Sequence, residues 1–358
     1  MKIALITDTH WGARNDNIAF SNYFSKFYDN IFFPHLEKYN IKACIHLGDV
    51  VDRRKYINFK TANDLRENFV ERLWKMGVDT HVIIGNHDIF YKNTNDINSM
   101  EELFTSSDGQ YEPWIYASPR EVEFDGTKIM MMPWITSDNY SDCVSAIKNT
   151  KAQIMMGHLE ISGFEMHRGQ ICDTGFTAEM FSKFDLVYSG HFHHKSTQGS
   201  ITYLGNPYEI TWSDYQDARG FHIFDTKTRE LQFIQNPYNM FHKIYYDDTK
   251  ETFEKIKERD YEKYAGSIVK IIVVQKQNPY WFDTMLDELY KVDIVDISVI
   301  ENIDLEFEDD DTVVDEAEDT LTILSNYIDT LNIQKDKKEL DTLIRTLYNE
   351  AIDYQISA

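Results

Sequence analysis

Residues 190–194, GHFHH, place His191 and His193 one residue apart just beyond the apolar run DLVYSG. Imidazole is the commonest metal ligand and titrates near neutral pH, so such a pair can face one metal centre or move protons. The same kind of ending recurs along the chain. KIALIT runs into Asp8 and His10, CIHLG into Asp49, HVIIG into Asn86, His87 and Asp88, and QIMMG into His158. Taken singly, each has an ordinary explanation as a loop cap, a turn residue or a core histidine. Taken together, at the ends of successive strand-like runs, they predict one site, because α/β folds gather ligands at the carboxyl ends of their strands.

The donor chemistry is coherent. Carboxylate, imidazole and amide oxygen suit manganese, iron or zinc, and the absence of thiolates among these residues argues against a structural zinc knot. Two cations held roughly 3.5–4 Å apart lower the pKa of a shared water and stabilise charge on both oxygens of an in-line displacement at phosphorus. One carboxylate must then bridge them, and Asp49 is the candidate. Arg14, Arg53, Arg54, Lys55 and Lys60 follow the first two clusters and are candidates for phosphate contacts, since guanidinium and ammonium groups pair with phosphate oxygens. Tyr208 and Trp212 either stack on a base or pack in the core. His194 has no assigned ligand position, and His35, His46, His81, His167, His222 and His242 are read as structural or surface groups.

The elements that must position these residues are short apolar runs bounded by breakers, alternating with amphipathic segments. Residues 58–77 space Leu65, Phe69, Leu73 and Met76 at helical intervals and close on Gly77, and residues 20–36 carry an aromatic stripe of Phe20, Tyr23, Phe24, Phe27 and Ile31. The alternation predicts an α/β domain with a layered sheet core. A hairpin over 219–234, turning at Thr226–Thr228, closes a first domain at 1–235. Residues 236–300 read as a smaller α+β unit, with a charged helix at 249–264 and another near Trp281–Tyr290. Residues 301–319 hold eleven acidic side chains and no basic one, and read as a solvated linker because like charges repel and little apolar surface is left to bury. In the last segment, 320–358, Leu321, Leu324, Ile328 and Leu331 share one helical face and Leu340, Leu343, Ile344 and Leu347 another. Such a pair is too small for its own core and predicts docking on a partner.

A formal charge of −24 excludes a broadly basic surface that grips nucleic acid by neutralising phosphates. Any DNA contact must rely on local arginine and lysine clusters, on bound cations or on a partner. Cys44, Cys143 and Cys172 are odd in number and widely separated, which predicts reduced, packed thiols. No apolar run is long enough to span a bilayer and the amino terminus turns polar too early for a secretory signal, so a soluble, cytoplasmic protein is expected.

The motifs DTHWG (8–12), GDVVD (48–52), GNHD (85–88), GHLE (157–160) and GHFH (190–193) resemble, in order, the five signature motifs of the calcineurin-like metallophosphoesterase superfamily. Within it the chain is similar to nuclease subunits of the SbcD type, in their bacterial and phage forms. The resemblance implies a four-layer α-β-β-α sandwich, a DNA-capping domain, and carboxyl-terminal helices that bind an SMC-like ATPase. It implies a homodimer built through the 58–77 and 97–104 segments. It further implies two manganese ions, one on Asp8, His10, Asp49 and His193, the other on Asp49, Asn86, His158 and His191. His87 would contact the scissile phosphate and protonate the leaving oxygen, and Asp88 would either orient His87 or cap the turn. The implied activity is exonuclease action on duplex ends and endonuclease action on single-stranded or hairpin DNA. Relatives often carry histidine where this chain has Asp52, which leaves Asp52 free to support the metal shell or to bind Arg53. GDVVDRR also resembles the GDxxDRG string of serine/threonine protein phosphatases, so a phosphoprotein phosphatase or cyclic-nucleotide phosphodiesterase is the competing reading. A non-catalytic scaffold predicts eroded ligands, and here the set is complete.

Overall fold

The computed structural model describes residues 1–104, 112–167 and 169–301. Two six-stranded sheets form the centre. The first runs Leu231–Gln235, Gly220–Asp225, Lys2–Ile6, Ala43–His46, Asp79–Ile83 and Trp114–Tyr116, its last four strands mutually parallel. The second runs Ser196–Gln198, Ile201–Tyr203, Leu186–Gly190, Ile154–His158, Thr127–Met132 and Arg120–Phe124. The expected hairpin is present, with Gly220 opposite Gln235 and Phe224 opposite Leu231.

Three apolar clusters show how the layers stack. Ile3, Leu5, Ile45, Ile83, Met131, Met156, Tyr188 and Phe224 fill the space between the sheets. The other face of the first sheet packs on the aromatic stripe, including Phe20, Phe24, Phe27, Phe32 and Phe69. The other face of the second sheet packs on Cys143 and Ile147 of helix Tyr140–Asn149 and on Phe181. Strands buried on both faces need apolar residues at every position, which is why these runs do not alternate. The result is the four-layer α-β-β-α sandwich. Cys44, Cys143 and Cys172 are free thiols, all buried.

Both long helical segments contain an irregularity that spacing did not show. Ile18–Phe27 continues through a π-helical turn at Tyr28–Phe32 into Phe33–Lys38, and Phe59–Leu65 continues through Arg66–Val70 into Glu71–Lys75. The wide turns bring Tyr28 onto Trp11, ring centroids 5.3 Å apart and nearly parallel, and Phe69 onto Tyr28 at 5.5 Å. A π turn rotates the following residues relative to a regular helix, so it retunes which side chains reach the sheet.

A third sheet, of strands Phe241–Asp247, Ile268–Gln275 and Asp296–Ile300, is wholly parallel and carries helix Pro279–Leu289 on one face around Ile271, Phe282 and Met285. The expected helix at 249–264 is shorter, Phe253–Glu258, followed by a single 3-10 turn at Glu262–Tyr264. The break falls at Arg259, which is extended and pairs with Glu251, while the Tyr261 hydroxyl donates to Ile256 O at 2.6 Å and covers the helix end. Phe241 enters the core of the first sheet, and the amides of Met240 and Phe241 donate to Glu209 at 2.6 and 2.9 Å. The acidic run beyond residue 301 and the carboxyl-terminal helices expected from the sequence lie outside the described residues. None of the described helices is long and apolar enough to cross a membrane.

Candidate metal centre

The loops leaving five parallel strands converge at one end of the sandwich. Lys2–Ile6 delivers Asp8 and His10, Ala43–His46 delivers Asp49, Asp79–Ile83 delivers Asn86 to Asp88, Ile154–His158 ends on its own ligand candidate, and Leu186–Gly190 delivers His191 and His193. The turns are tight. Asp8, His10, Asp49 and His191 have φ of 51°, 43°, 54° and 89°, a left-handed conformation that costs a non-glycine residue energy and is kept where surrounding contacts over-determine it. A Cβ at Gly85 would collide with the Asp49 backbone and carboxylate, and one at Gly190 with the Thr7 hydroxyl, so these two motif glycines are there for close approach.

Two donor groups result. Asp8, His10 and His193 present ligand atoms within 4.8 Å of one another, and so do Asp49, His158 and His191. Asp49 lies between the groups, its Oδ2 3.2 Å from His158 Nε2 and 4.0 Å from His10 Nε2, while its Oδ1 accepts the His87 amide at 2.8 Å. His10 Nε2 and His193 Nε2 face each other at 3.1 Å. His158 Nδ1 donates to Leu47 O at 2.8 Å, which leaves its Nε2 as a lone pair, 3.0 Å from Asn86 Oδ1. An imidazole lone pair, an amide oxygen and a carboxylate oxygen thus meet with no proton among them. Such a point calls for a cation, and the mixed N/O donor set fits a divalent transition metal. In a metal-free centre a proton takes that place. Burial alone would lower the His158 pKa, but the Asp49 carboxylate raises it to about 9. For His10, burial again opposes, and Asp52 and then Asp49 raise the pKa to about 10. Asp49 itself is held well below the ordinary carboxylate range: burial pushes it up, but the His158 and His87 charges prevail.

Asp88 does not hydrogen-bond the His87 ring. Its buried carboxylate accepts four backbone amides, from Asp49 and Gly85 on one oxygen (2.9 Å each) and from Val50 and Val51 on the other (2.9 and 3.1 Å). It is the clamp that shapes two of the ligand loops. The His87 ring is held by Asp52, whose carbonyl oxygen lies 2.6 Å from Nδ1. Asp52 Oδ1 also lies 3.4 Å from His10 Nδ1. Arg53, by contrast, is turned away into an ion pair with Asp16, and also donates to Asn15 at 3.0 Å and Tyr56 at 3.1 Å. The other phosphate-contact candidates are dispersed. Arg54 is half-buried and donates Nε to Ile89 O at 3.2 Å, and its side chain feels the Asp49 charge. Arg14 and Lys55 are exposed, and Lys60 pairs with Asp64 at 2.5 Å. Tyr208 belongs to the core: fully buried, it stacks on Phe24 at 3.8 Å and donates to Thr9 O at 2.6 Å.

Four supporting residues, Arg219, Asp217, Glu160 and Trp134, escaped the sequence reading. Arg219 is buried, donates to the His193 carbonyl and to Asn206, and pairs with Asp214 and Asp217 at 2.9 and 3.0 Å. Asp217 also holds His194 Nδ1 at 2.7 Å. Glu160 Oε2 lies 3.7 Å from His191 Nε2, and the Trp134 ring packs 4.9 Å from the His191 ring. Glu160 stood inside the quoted GHLE motif, whereas Arg219 read only as the start of a hairpin.

Residues 1–195, which carry both donor groups, match the family model described as calcineurin-like phosphoesterase, so the chain belongs to that family. Among curated proteins it is 30% identical over 318 residues to exonuclease subunit 1 of Enterobacteria phage T4, covering 88% of this chain and 89% of that one. It is 25% identical over 228 residues to the SbcD component of the SbcCD nuclease of Staphylococcus epidermidis, covering 56% of this chain and 59% of the relative. The corresponding component from Staphylococcus saprophyticus is 26% identical over 208 residues, covering 51% and 55%.

Proposed function

We propose that the protein is a metal-dependent DNA nuclease that hydrolyses phosphodiester bonds, as an exonuclease on duplex ends and an endonuclease on single-stranded or hairpin DNA. The observation that carries the reading is the placement of Asp49 Oδ2 between two donor groups, with the His87 amide on its other oxygen. Asp8, His10, Asp49 and His193 would hold one divalent cation and Asp49, Asn86, His158 and His191 the other. Manganese suits the carboxylate, imidazole and amide donors. When bound, such a pair supplies Lewis acidity at phosphorus and a hydroxide-like nucleophile near neutral pH.

The chain's own groups do the rest. His87, beside His10 with ring centroids 4.9 Å apart, donates a hydrogen bond to the scissile phosphate and a proton to the leaving oxygen. Asp88 keeps the loops of Asp49 and His87 in register through its four amide bonds. Arg54 is the cation best placed to orient a phosphate, because Arg53 and Lys60 already serve carboxylates. The names of the relatives, each a subunit of a nuclease, support a DNA substrate and a partner subunit. An SMC-like ATPase bound through residues 320–358, a second copy joined through the 58–77 and 97–104 segments, and a capping role for 236–300 complete the proposal. The acidic surface makes sense if that partner supplies much of the grip on DNA.

The test is hydrolysis of labelled duplex, hairpin and single-stranded DNA with manganese, beside a phosphopeptide and bis(p-nitrophenyl) phosphate, with His87→Ala as control. Cleavage of DNA that His87→Ala abolishes is expected. Turnover of phosphopeptide with none of DNA overturns the nuclease reading in favour of a phosphatase.

A further inference from the structure

We propose that Asp52 is a positioning residue with two separable roles: its side chain fixes the metal-binding tautomer of His10, and its main-chain carbonyl fixes the ring of His87. The inference rests on the metallonuclease reading and adds a single control point for the ligand and the proton donor.

The backbone sets the placement. Pairing between the first two parallel strands continues past their ends: Leu47 N donates to Ile6 O (2.9 Å), Asp8 N to Gly48 O (3.0 Å), His10 N to Asp49 O (3.2 Å), Trp11 N to Val50 O (2.8 Å) and Asp52 N to Trp11 O (3.1 Å). The two loops are therefore zipped in one register, and Asp52 cannot slide relative to His10. The Asp52 and His10 side chains are each only 5% exposed, with Asp52 Oδ1 3.4 Å from His10 Nδ1. The contact is longer than a formed hydrogen bond, but Asp52 Oδ1 is an acceptor beside Nδ1 and an ionised carboxylate favours hydrogen there, so in the metal-binding form Nε2 is the lone pair. That Nε2 faces His193 Nε2 at 3.1 Å and the Asp49 carboxylate at 4.0 Å, inside the donor group. A carboxylate behind a ligating imidazole fixes ring orientation and strengthens the ligand, and its loss typically costs about 10–100-fold in metal affinity. On the other side, the Asp52 carbonyl also only accepts, so Nδ1 of His87 donates to it at 2.6 Å and Nε2 is turned away from the loop. The neighbouring Arg53 does not compete for the Asp52 role, since its guanidinium lies on Asp16.

The two roles come apart on mutation because a side-chain change leaves the carbonyl in place. Manganese binding is measured by calorimetry and by electron paramagnetic resonance on the full chain, with wild type, Asp52→Ala and Asp52→Asn, each checked for folding by its urea transition. Wild type should bind two ions. Asp52→Ala should bind at one site about 10–100-fold more weakly, with the second site unmoved. Its hydrolysis of bis(p-nitrophenyl) phosphate should be lost at low manganese and recovered at high manganese. Asp52→Asn keeps an acceptor oxygen for Nδ1–H and should restore most of the affinity. Equal affinity in Asp52→Ala and wild type overturns the proposal, as does equal impairment of Asp52→Ala and Asp52→Asn. A wild type that binds no manganese refutes the metal centre itself, a different result from either.

Discussion

Removal of the Arg219 guanidinium should both destabilise the protein and loosen the His193 ligand. Arg219 is 4% exposed and serves four acceptors: the His193 carbonyl, Asn206, Asp214 and Asp217. Breaking a buried ion pair by deleting one partner typically costs about 3–5 kcal/mol, because the other charge is stranded. Here the stranded carboxylates keep other partners. Asp214 still accepts the amides of Ile210 and Thr211 at 2.7 and 3.0 Å, and Asp217 still holds His194 at 2.7 Å. The cost of Arg219→Met should therefore fall at the lower end, about 3 kcal/mol, or roughly 4 °C in Tm for a chain of 358 residues. Arg219→Lys keeps the charge but not the planar fork, cannot reach all four acceptors, and should cost about half as much. Urea denaturation of the metal-free protein gives the stability, and manganese titration gives the second effect, a weaker site for the group containing His193. Arg219→Met within about 1 kcal/mol of wild type, at unchanged manganese affinity, would refute the hub.

Three further outcomes are expected. Asparagine at Asp88 accepts on one oxygen only, so two of the four clamped amides would face an NH2 group; a loss of about 2–4 kcal/mol in the stability read from urea unfolding is expected, and a variant as stable as wild type would disprove the clamp. Manganese should raise Tm and EDTA should reverse the rise, by about 2.7 kcal/mol of stability at one hundred times Kd for a single site; Asp49→Ala should abolish the response, and an unresponsive wild type contradicts the centre. His222 is buried and its pKa is lowered by burial, with a smaller push from Lys195, to about 3. Between pH 6.5 and 3 the unfolded chain then binds the extra proton, so stability falls as pH falls, by about 2 kcal/mol from this group between pH 7 and 5. His222→Gln should flatten that part of the curve, and parallel wild-type and variant curves would show that His222 titrates normally when folded.

The candidate ligands were legible because they obey a local rule: a buried strand is an uninterrupted apolar run, and the polar residue that stops it stands at the strand's carboxyl end. That rule picked out Asp8, His10, Asp49, Asn86, His87, Asp88, His158, His191 and His193 as one cluster without any knowledge of which strands adjoin, and the division into ligand candidates and other roles came from the family resemblance. Roles that depend on a long-range partner were not legible. Asp88 follows His87 in sequence, yet its carboxylate bonds amides 35 and more residues away as well as Gly85. Arg53, a phosphate-contact candidate, pairs with Asp16, which lies with Arg14 and Asn15 in left-handed backbone, φ of 56°, 62° and 56° for Arg14, Asn15 and Asp16. No propensity predicts three such residues in a row, since each carries a steric penalty that only tertiary contacts offset. The π-helical turns escaped for a similar reason: the aromatic spacing was right for a helix, and the extra residue per turn is set by the rings it must bring onto Trp11.

Asp8, Asp49, Asp52 and Asp88 are all buried in one loop cluster, where burial and the Asp49 charge raise the Asp8 and Asp88 pKa values. Four carboxylates in so small a volume are unfavourable unless positive charge is supplied, and in the metal-free state the histidines supply it. Because His10 and His158 hold protons at the positions where cations would sit, binding a metal must release them, and affinity should rise with pH until they are gone. The strained left-handed residues Asp8, His10, Asp49 and His191 belong to the same loops. Backbone pairing and the Asp88 clamp already hold these loops in place, so bound cations would chiefly relieve the charge crowding and replace the retained protons.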